Sequence, residues 1–315
     1  MPVKVKVSGA WKDAVPKVKV SGAWKDVSQK WVKVSGAWKE LLNTLVEVVA
    51  NYDNKSITWA TDPPGVYGGD YSGLGMNIKP DGTRVYLRVS EIVANPAVEE
   101  IWEYTLSTPW DLNTSSYSRK LDISTIGGYD LDSQDAVIRF KPDGSRIFAA
   151  IGDTIIFLDL STDWNITTAS YNVDSFGDFE GSGSIKFFQI KPDGDTIYTS
   201  RSGSSIIHQH TLGASWNTNG SITYTNKSYD FSAQLNNIRA AFISDDGLLL
   251  YVVSTTEVYR YTFGTAWDLA TLSYDYFVSD VSAETVVCVS LQFKPDISKM
   301  YLLGVNEFSI FQYST

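Results

Sequence analysis

The stretch "IKPDGTRVYL" at residues 78–87 recurs along the chain as "FKPDGSRIFA" (140–149), "IKPDGDTIYT" (190–199), "ISDDGLLLYV" (243–252) and "FKPDISKMYL" (293–302). Its aspartate stands at Asp81, Asp143, Asp193, Asp246 and Asp296, so the steps between copies are 62, 50, 53 and 50 residues. Self-similarity with a period of roughly 50 residues is typical of solenoids and propellers.

The shared Lys-Pro-Asp-Gly phrase has the residues of a tight turn. Proline presets φ at the second position, aspartate suits the third, and glycine adopts the left-handed conformation at the end. Apolar residues then alternate along the chain, as at Val85, Leu87 and Val89, with the period of two that is typical of strands. Each copy therefore predicts an antiparallel hairpin. Because the aspartate recurs in all five units, we assign it to the turn and not to catalysis.

A second phrase, which contains a tryptophan, follows the first four copies. It reads "YTLSTPWDLNTSSY" (104–117), "LDLSTDWNITTASY" (158–171), "HTLGASWNTNGSITY" (210–224) and "YTFGTAWDLATLSY" (261–274). The phrase predicts a third strand, a loop and a fourth strand. Its tryptophans, Trp110, Trp164, Trp216 and Trp267, have two interpretations: packing between blades or capping of a hairpin, or a ring of ligand-facing platforms on which sugars stack.

Four short antiparallel strands in each unit predict an all-β fold, a five-bladed β-propeller over residues 53–315. The fifth unit ends at "FQYST" (311–315) and lacks a fourth strand. Upstream, "NKSITWATDPP" (54–64) is similar to "NGSITYTNKSY" (219–229), which contains the fourth strand of the third unit. We therefore expect residues near 56–60 to supply the outermost strand of the last blade and so close the ring without a free edge.

Residues 1–43 obey a different repeat, in which "VKVSGAWK" occurs at 5–12, 18–25 and 32–39. Each copy predicts a short β-hairpin, and such a hairpin is marginally stable alone in water. Three tandem copies predict an attachment arm in which Trp11, Trp24 and Trp38 are the docking anchors, since aromatic residues dominate interface energetics. The arm could bind its own copies in a homo-oligomer, bind another protein, or serve as a linker. Residues 44–52 form the connector.

Composition restricts the partners. The chain has 315 residues with 36 acidic and 26 basic side chains, a formal charge of -10, which argues against nucleic-acid binding. No apolar run approaches 18 residues, so we expect no membrane insertion. The single cysteine, Cys288, lies in the apolar run "ETVVCVSL" and is expected to be a small buried residue.

Few residues suggest chemistry. His208 and His210 could share a metal on one strand face, but they occupy positions where sibling units place aromatic residues, which favours packing. The carboxylates of "DLDSQD" (130–135) suggest calcium, yet the glycine and glutamate of an EF-hand loop are missing. We find no nucleophile elbow, phosphate loop or dinucleotide fingerprint. The sequence thus predicts a non-enzyme without cofactor or metal.

The "VKVSGAWK" phrase resembles short modules that recur in structural proteins of tailed bacteriophages. The "FKPDGSRIF…LSTDWNITTASY" unit is similar to repeats in phage tail and virion-surface proteins with propeller-like folds. The resemblance covers nearly the whole chain. It implies a virion component, of the tail fibre, appendage or decoration type, and it implies no catalytic residues.

Four functions remain open at this stage. The leading hypothesis is a virion structural protein whose residues 1–43 dock onto other virion proteins of the tail or capsid, while the propeller displays a surface for a host receptor, either a glycan or a protein. A decoration or adaptor protein and a free lectin-like binding module are the alternatives. A receptor binder should show a groove lined by aromatic and amide side chains, whereas a polysaccharide-degrading enzyme needs two converging carboxylates.

Overall fold

The chain divides into two compact units, Met1–Val49 and Ala50–Thr315. The computed structural model describes residues 3–7, 10–14, 17–20, 23–26, 30–34, 37–41, 50–58, 71–91, 98–124, 137–177, 179–285, 287–305 and 309–315. The candidate calcium segment at 130–135 lies outside the described residues, as does most of the connector, residues 44–49.

The N-terminal unit contains three separate antiparallel hairpins, one for each copy of the repeat. They pair β1 (Val3–Val7) with β2 (Ala10–Ala14), β3 (Lys17–Val20) with β4 (Ala23–Asp26), and β5 (Lys30–Val34) with β6 (Ala37–Leu41). The predicted docking anchors share one register position: Trp11 pairs with Lys6, Trp24 with Lys19 and Trp38 with Lys33.

The C-terminal unit consists of five four-stranded antiparallel sheets. Blade 1 contains β8 (Tyr71–Ile78), β9 (Arg84–Glu91), β10 (Val98–Leu106) and β11 (Ser115–Asp122). Blade 2 contains β12 (Ile138–Phe140), β13 (Arg146–Ile151), β14 (Thr154–Leu160) and β15 (Ala169–Phe176). Blade 3 contains β16 (Ile185–Ile190), β17 (Thr196–Arg201), β18 (Ile206–Ala214) and β19 (Asn217–Asp230).

Blade 4 contains β20 (Ala240–Ile243), β21 (Leu249–Val253), β22 (Glu257–Phe263) and β23 (Leu272–Asp280). Blade 5 contains β24 (Cys288–Phe293), β25 (Lys299–Gly304), β26 (Ser309–Ser314) and β7 (Asn51–Thr58). The first strand of each blade lies innermost: β8 contacts both β12 and β24, and β20 contacts both β16 and β24. The five innermost strands thus surround an axial channel, and the predicted five-bladed β-propeller is confirmed.

Strand β7 closes the ring, as the sequence predicts. It pairs antiparallel with β26, and Ile57 lies opposite Ile310 in the register. The carboxylate of Asp53 accepts hydrogen bonds from Lys299 Nζ and Ser314 Oγ, each at 2.6 Å, and so ties the start of the propeller to its end. The edge that β26 would otherwise present to solvent is therefore fully paired.

The hydrophobic core lies between neighbouring blades. Strands inside a blade are buried on both faces because each blade packs against two others, and every residue of β17 is buried. Outer strands face water on one side, so β11 alternates between half-buried and exposed residues. Burial of each large apolar side chain contributes about 1.5–3 kcal/mol.

Three short 3₁₀ helices complete the regular structure of the described residues: Leu112–Thr114, Ile166–Thr168 and Leu269–Thr271. None of the described helices has the length and apolar character of a membrane span. Cys288 is a free cysteine buried on β24, in agreement with the sequence prediction.

Candidate functional site

The recurring aspartate holds the hairpin turn between the first two strands of each blade. Asp81 Oδ1 accepts a 2.9 Å hydrogen bond from the Thr83 N–H, and Asp143 Oδ1 accepts the same bond from Ser145. Partial burial would raise the pKa of Asp143, but hydrogen bonds from Lys141 and Ser145 outweigh it and lower that pKa to about 2. These bonds support the structural role that the repeat predicts for the aspartate.

The turn survives in the two blades whose sequence departs from the repeat. In blade 4 the Gly247 N–H donates to the Ser244 carbonyl at 2.8 Å. In blade 5 Ile297 replaces the glycine, adopts a φ of 60°, and donates the equivalent 2.8 Å bond to Lys294. Blade 5 has no tryptophan phrase, so at this position a Cβ meets no indole.

In the other four blades the tryptophan packs directly on the glycine of its own turn. The backbone N–H of each tryptophan donates a 2.9 Å hydrogen bond to the glycine carbonyl, and each tryptophan has a positive φ of 56–65°. A Cβ added to the glycine would lie 2.1–2.3 Å from the nearest indole atom. The pairs are Gly82–Trp110, Gly144–Trp164, Gly194–Trp216 and Gly247–Trp267.

The carbonyl of each tryptophan accepts a hydrogen bond from the preceding blade. Tyr86 donates to Trp164 at 2.9 Å, Tyr198 donates to Trp267, and Tyr301 donates to Trp110 at 2.8 Å. Blade 2 has Phe148 where the others have tyrosine, and there Arg146 Nη1 donates to Trp216 at 2.9 Å instead. The tryptophans therefore join neighbouring blades, which supports the packing interpretation.

A cavity of about 410 Å³ lies on the axis at the turn side of the channel, and all five blades line it. We call it the axial cavity. One ring of its wall comes from the second turn position, with Pro80, Pro142, Pro192, Asp245 and Pro295. A second ring comes from the inner strands, two residues before the first residue of the turn, with Asn77, Arg139, Gln189, Phe242 and Gln292.

Aromatic side chains form much of the remaining wall. Trp110, Trp164 and Trp216 line the cavity, whereas Trp267 is not among its lining residues. Phe140 stacks on Trp164, with ring centroids 5.1 Å apart and an interplanar angle of 14°. Three of the four predicted ligand-facing tryptophans are thus placed at one cavity, while ligand contact itself remains a prediction.

Polar groups in the axial cavity differ in how far the protein satisfies them. Gln189 bridges two blades, because it donates to the Ile243 carbonyl at 2.7 Å and accepts from the Ile243 N–H at 2.8 Å. Gln292 is buried, yet its Nε2 has no hydrogen-bond partner among the described residues. An unpaired buried donor is costly, so a ligand that accepts a hydrogen bond from Gln292 would gain affinity.

Asp245 is the one carboxylate in the described wall of this cavity. Its side chain reaches solvent at the rim, but partial desolvation by the surrounding wall and the neighbouring charge of Asp246 raise its pKa. An ionised carboxylate accepts hydrogen bonds from hydroxyl groups. The wall therefore combines flat aromatic surfaces, amide side chains and a carboxylate that can accept hydrogen bonds from hydroxyl groups.

The sequence did not reveal this cavity, because its polar positions are not alike. The signal lies in the register: the residue two positions before the first residue of the turn is Asn, Arg, Gln, Phe and Gln in successive blades. A column that is polar in four blades out of five on an otherwise apolar inner strand indicates a position that faces the axis.

The two histidines lie away from the axial cavity, on β18 of blade 3. His208 and His210 both pack edge-on or tilted against Tyr224, with ring centroids 5.5 Å apart, and His210 packs on Phe179 at 5.3 Å. Burial lowers the pKa of both imidazoles. These contacts support the aromatic-packing interpretation, and the part of the chain that the structure describes contains no group of three or more His, Cys, Asp or Glu arranged to hold a metal ion.

Comparisons with known proteins give likenesses of fold at low similarity. No protein-family model matches the chain, and no curated protein matches it. Among solved structures, a functionally unknown protein from Desulfotomaculum acetoxidans aligns over 76% of this chain and 64% of its own, at 11% identity and a TM-score of 0.42. The Pseudomonas aeruginosa periplasmic gluconolactonase aligns over 75% and 64%, at 14% identity and a TM-score of 0.43.

The β-propeller domain of Cps50 from Myceliophteria thermophila aligns over 78% of this chain and 82% of its own, at 11% identity and a TM-score of 0.41. This chain thus spans less than two thirds of the length of the first two proteins. The name gluconolactonase describes an enzyme, but likeness at this level does not establish enzyme status for this chain.

Proposed function

We propose that the protein is a non-catalytic binding protein of a phage virion, in which the propeller recognises a saccharide of the host surface at the axial cavity and the N-terminal hairpins attach the protein to the particle. The observation that carries this proposal is the axial cavity, whose described wall combines aromatic and amide side chains.

Saccharides are recognised by this combination of groups. Their apolar ring faces pack on flat aromatic surfaces, and a few placed polar groups fix orientation by hydrogen bonds to hydroxyls. The axial cavity offers Trp110, Trp164 and Trp216 for the first role. Gln292 offers a buried donor for the second, and Asp245 offers an acceptor at the rim.

The number of carboxylates in the described cavity wall favours binding over hydrolysis. Most glycoside hydrolases flank the scissile bond with two carboxyl groups. The described wall of the axial cavity contributes one, Asp245. For this reason we assign recognition and not cleavage to the cavity.

The hairpins support an attachment role for residues 1–43. Three weak contacts on one tether raise overall avidity steeply when they engage together. The three hairpins have the same strand pairing, and Trp11, Trp24 and Trp38 occupy the same position in it. The resemblance of the repeat to virion modules suggests other virion proteins as the partners.

The saccharide role is tested with a glycan array and with host cells. We expect the purified protein to bind defined glycans and to block phage adsorption at saturating concentration. Gln292→Leu should weaken binding because it removes the cavity donor at similar volume. The matched control is Asn113→Leu, which makes a similar change at an exposed residue outside the cavity.

Two outcomes would overturn parts of this proposal. If no glycan binds and adsorption continues at saturating concentration, the receptor role fails and a decoration or adaptor role remains. If a protein that lacks residues 1–43 is still incorporated into particles, the attachment role of the hairpins fails independently of the saccharide result.

A further inference from the structure

The innermost strands carry an unusual charge distribution. The whole chain has 36 acidic residues and a formal charge of -10. However, β8, β12, β16, β20 and β24 contain no Asp or Glu, while Arg139 lies on β12 and Lys186 on β16. A third cation, Arg239, comes directly before β20. The described innermost strands therefore carry basic but no acidic side chains in a protein that is acidic overall.

Arg139 is the cation in the wall of the axial cavity. Its Nη1 donates to the backbone carbonyls of Met76 at 3.3 Å and Ile138 at 3.0 Å. Among the described residues no carboxylate lies within ion-pair distance of its guanidinium. Burial lowers the pKa of Arg139 to about 10, which is still far above neutral pH, so the group stays charged. A half-buried cation without a counter-charge favours an anion beside it.

Two further cations, Lys186 and Arg239, lie on or beside inner strands. Lys186 precedes the cavity residue Gln189 by three positions on β16, which corresponds to roughly 10 Å along a strand. Burial and the charge of Arg239 lower the pKa of Lys186 to about 8. The Nε of Arg239 is buried without a hydrogen-bond partner in the described residues. Lys186 on β16 and Arg239 beside β20 are therefore close enough for their like charges to interact.

We infer that the axial cavity takes an acidic saccharide, a sugar that bears a carboxylate such as a hexuronic acid residue, and that Arg139 pairs with this carboxylate. The inference rests on the proposed function, because it specifies the class of saccharide. The planar guanidinium fork matches a carboxylate in a bidentate geometry. A second independent donor, Gln292 Nε2, is placed in the same wall.

Asp245 distinguishes a carboxylated sugar from a compact anion. It lies at the rim of the cavity that contains Arg139, where it would repel a phosphate group with its higher charge density. A uronic acid residue carries one negative charge at one end and neutral hydroxyls elsewhere. Its hydroxyls can donate to Asp245 while its carboxylate meets Arg139.

The test is isothermal titration of the full-length protein with trimers of galacturonate, glucuronate and mannuronate, each beside its methyl ester. Esterification removes the charge and leaves the ring and its hydroxyls unchanged. We expect at least one acidic trimer to bind about tenfold more tightly than its ester, since a charge-assisted hydrogen bond is that much stronger than its neutral counterpart. Raising the salt concentration should reduce this difference.

Variants assign the effect to one side chain. Arg139→Gln should lower the affinity for the acid to that for the ester, while Arg139→Lys should retain part of the preference. Lys227→Gln is the matched control, because it removes one positive charge on the outermost strand β19, where Lys227 pairs with Asp268 at 2.9 Å. The control should leave both affinities unchanged. Thermal unfolding of each variant checks that the fold is intact.

The outcomes separate this inference from the proposed function. If esters bind as tightly as acids and Arg139→Gln changes neither, saccharide recognition stands and the assignment of an acidic sugar is overturned. If inorganic phosphate binds with the same dependence on Arg139 and no trimer binds, the site takes a free anion and the inference is overturned. If no trimer, ester or phosphate binds and the glycan array is also negative, the proposed function fails as well.

Discussion

The hydroxyl of Tyr301 in blade 5 donates a 2.8 Å hydrogen bond to the backbone carbonyl of Trp110 in blade 1. This bond spans the closure of the ring, because the two residues belong to the last and first blades. Trp110 also packs on Gly82 and donates its backbone N–H to the Gly82 carbonyl. The hairpin turn, the tryptophan and the tyrosine of the neighbouring blade are therefore connected. The ring closure therefore depends on Tyr301 as well as on the pairing of β7.

We predict that Tyr301→Phe lowers the free energy of unfolding by about 1–2 kcal/mol, because the Trp110 carbonyl loses the hydroxyl donor and the ring hydrophobicity is otherwise kept. Denaturant unfolding followed by tryptophan fluorescence measures this change. The matched control is Tyr86→Phe. The Trp164 carbonyl would keep its 2.8 Å bond from Arg84 Nη1, so this variant should lose less stability. Equal losses in the two variants would contradict the argument.

The tryptophan contact makes a second prediction, at the turn glycine of blade 2. Gly144 has a φ of 79°, and a Cβ there would stand 2.2 Å from the Trp164 indole. Gly144→Ala should therefore lower the free energy of unfolding by more than about 2 kcal/mol, of which the left-handed backbone accounts for about 1–2 kcal/mol. Denaturant unfolding at equilibrium gives the value.

Gly152 is the matched control for this prediction, since it has a φ of 58° with nothing within 4 Å of an added Cβ. Gly152→Ala should cost only the backbone term, about 1–2 kcal/mol. If both alanine variants lose the same stability, the indole contact contributes nothing, and the close approach of Trp164 to Gly144 is not a constraint.

The sequence predicts the propeller well because its decisive signals are local or repeated. The turn at Pro80 and Asp81 is a four-residue feature, and the strand near Ile57 is recognisable by its likeness to another unit. The contact between Gly144 and Trp164 is harder to foresee, since it joins residues 20 positions apart through a positive φ at a tryptophan. The one indication of this contact in the sequence is that blade 5 lacks both the glycine and the tryptophan.

The axial cavity lies further beyond sequence reasoning. Its wall is assembled from all five blades, so each contributing residue is separated from the next by about one repeat. Arg139 and Gln292 look like ordinary alternating residues of a strand when read alone. Only ring closure places them around one axis, and only the three-dimensional packing leaves Arg139 without a carboxylate partner and Gln292 Nε2 without an acceptor among the described residues.

A third prediction concerns the boundary between the hairpins and the propeller. Removal of residues 1–49 should leave a propeller that unfolds cooperatively, because Ala50–Thr315 is one compact unit. Removal of residues 1–58 also deletes β7, which exposes the edge of β26 and the hydrophobic contacts of Ile57. We expect that shorter protein to aggregate or to lose its cooperative transition, as measured by size-exclusion chromatography and circular dichroism. A soluble, cooperative shorter protein would show that β7 is dispensable.

A fourth prediction follows from Asp53, which links β7 to the last strands. Partial burial would raise its pKa, but hydrogen bonds from Lys299, Ser314 and Gln312 lower it below the usual value. A lowered folded-state pKa means that this stabilisation is present above the unfolded-state pKa of about 3.9 and is lost as pH falls through the folded-state pKa. Asp53→Asn should thus cost about 1–2 kcal/mol at pH 7.

The difference between Asp53→Asn and the unmodified protein should shrink as pH falls below about 4. Denaturant unfolding at a series of pH values measures it. The turn aspartates remain in both proteins, and the pKa values of Asp143 and Asp296 are about 2, so both should continue to lose stability down to that pH. A difference that stays constant from pH 7 to pH 2 would show that the charge of Asp53 is not what stabilises the closure.

The last prediction concerns His210, which is fully buried on β18. Burial lowers its pKa and outweighs Glu180, whose Oε2 lies 3.6 Å from Nε2 and acts in the opposite direction, while the charges of His208 and Arg201 lower the pKa further. The unfolded chain therefore binds a proton near pH 6.5 that the folded protein does not. Stability due to this group is present above that pH and is lost as pH falls below it.

His210→Phe should remove this loss, because phenylalanine keeps the aromatic contacts with Phe179 and Tyr224 and cannot be protonated. We expect the free energy of unfolding of the variant to vary less between pH 7 and pH 5 than that of the unmodified protein. The residual slope in the variant belongs to His208, whose pKa burial also lowers, so the double replacement with His208→Phe should be flatter still. Parallel pH profiles for the variant and the unmodified protein would mean that His210 accepts a proton in the folded state as readily as in the unfolded chain, with Glu180 compensating for its burial.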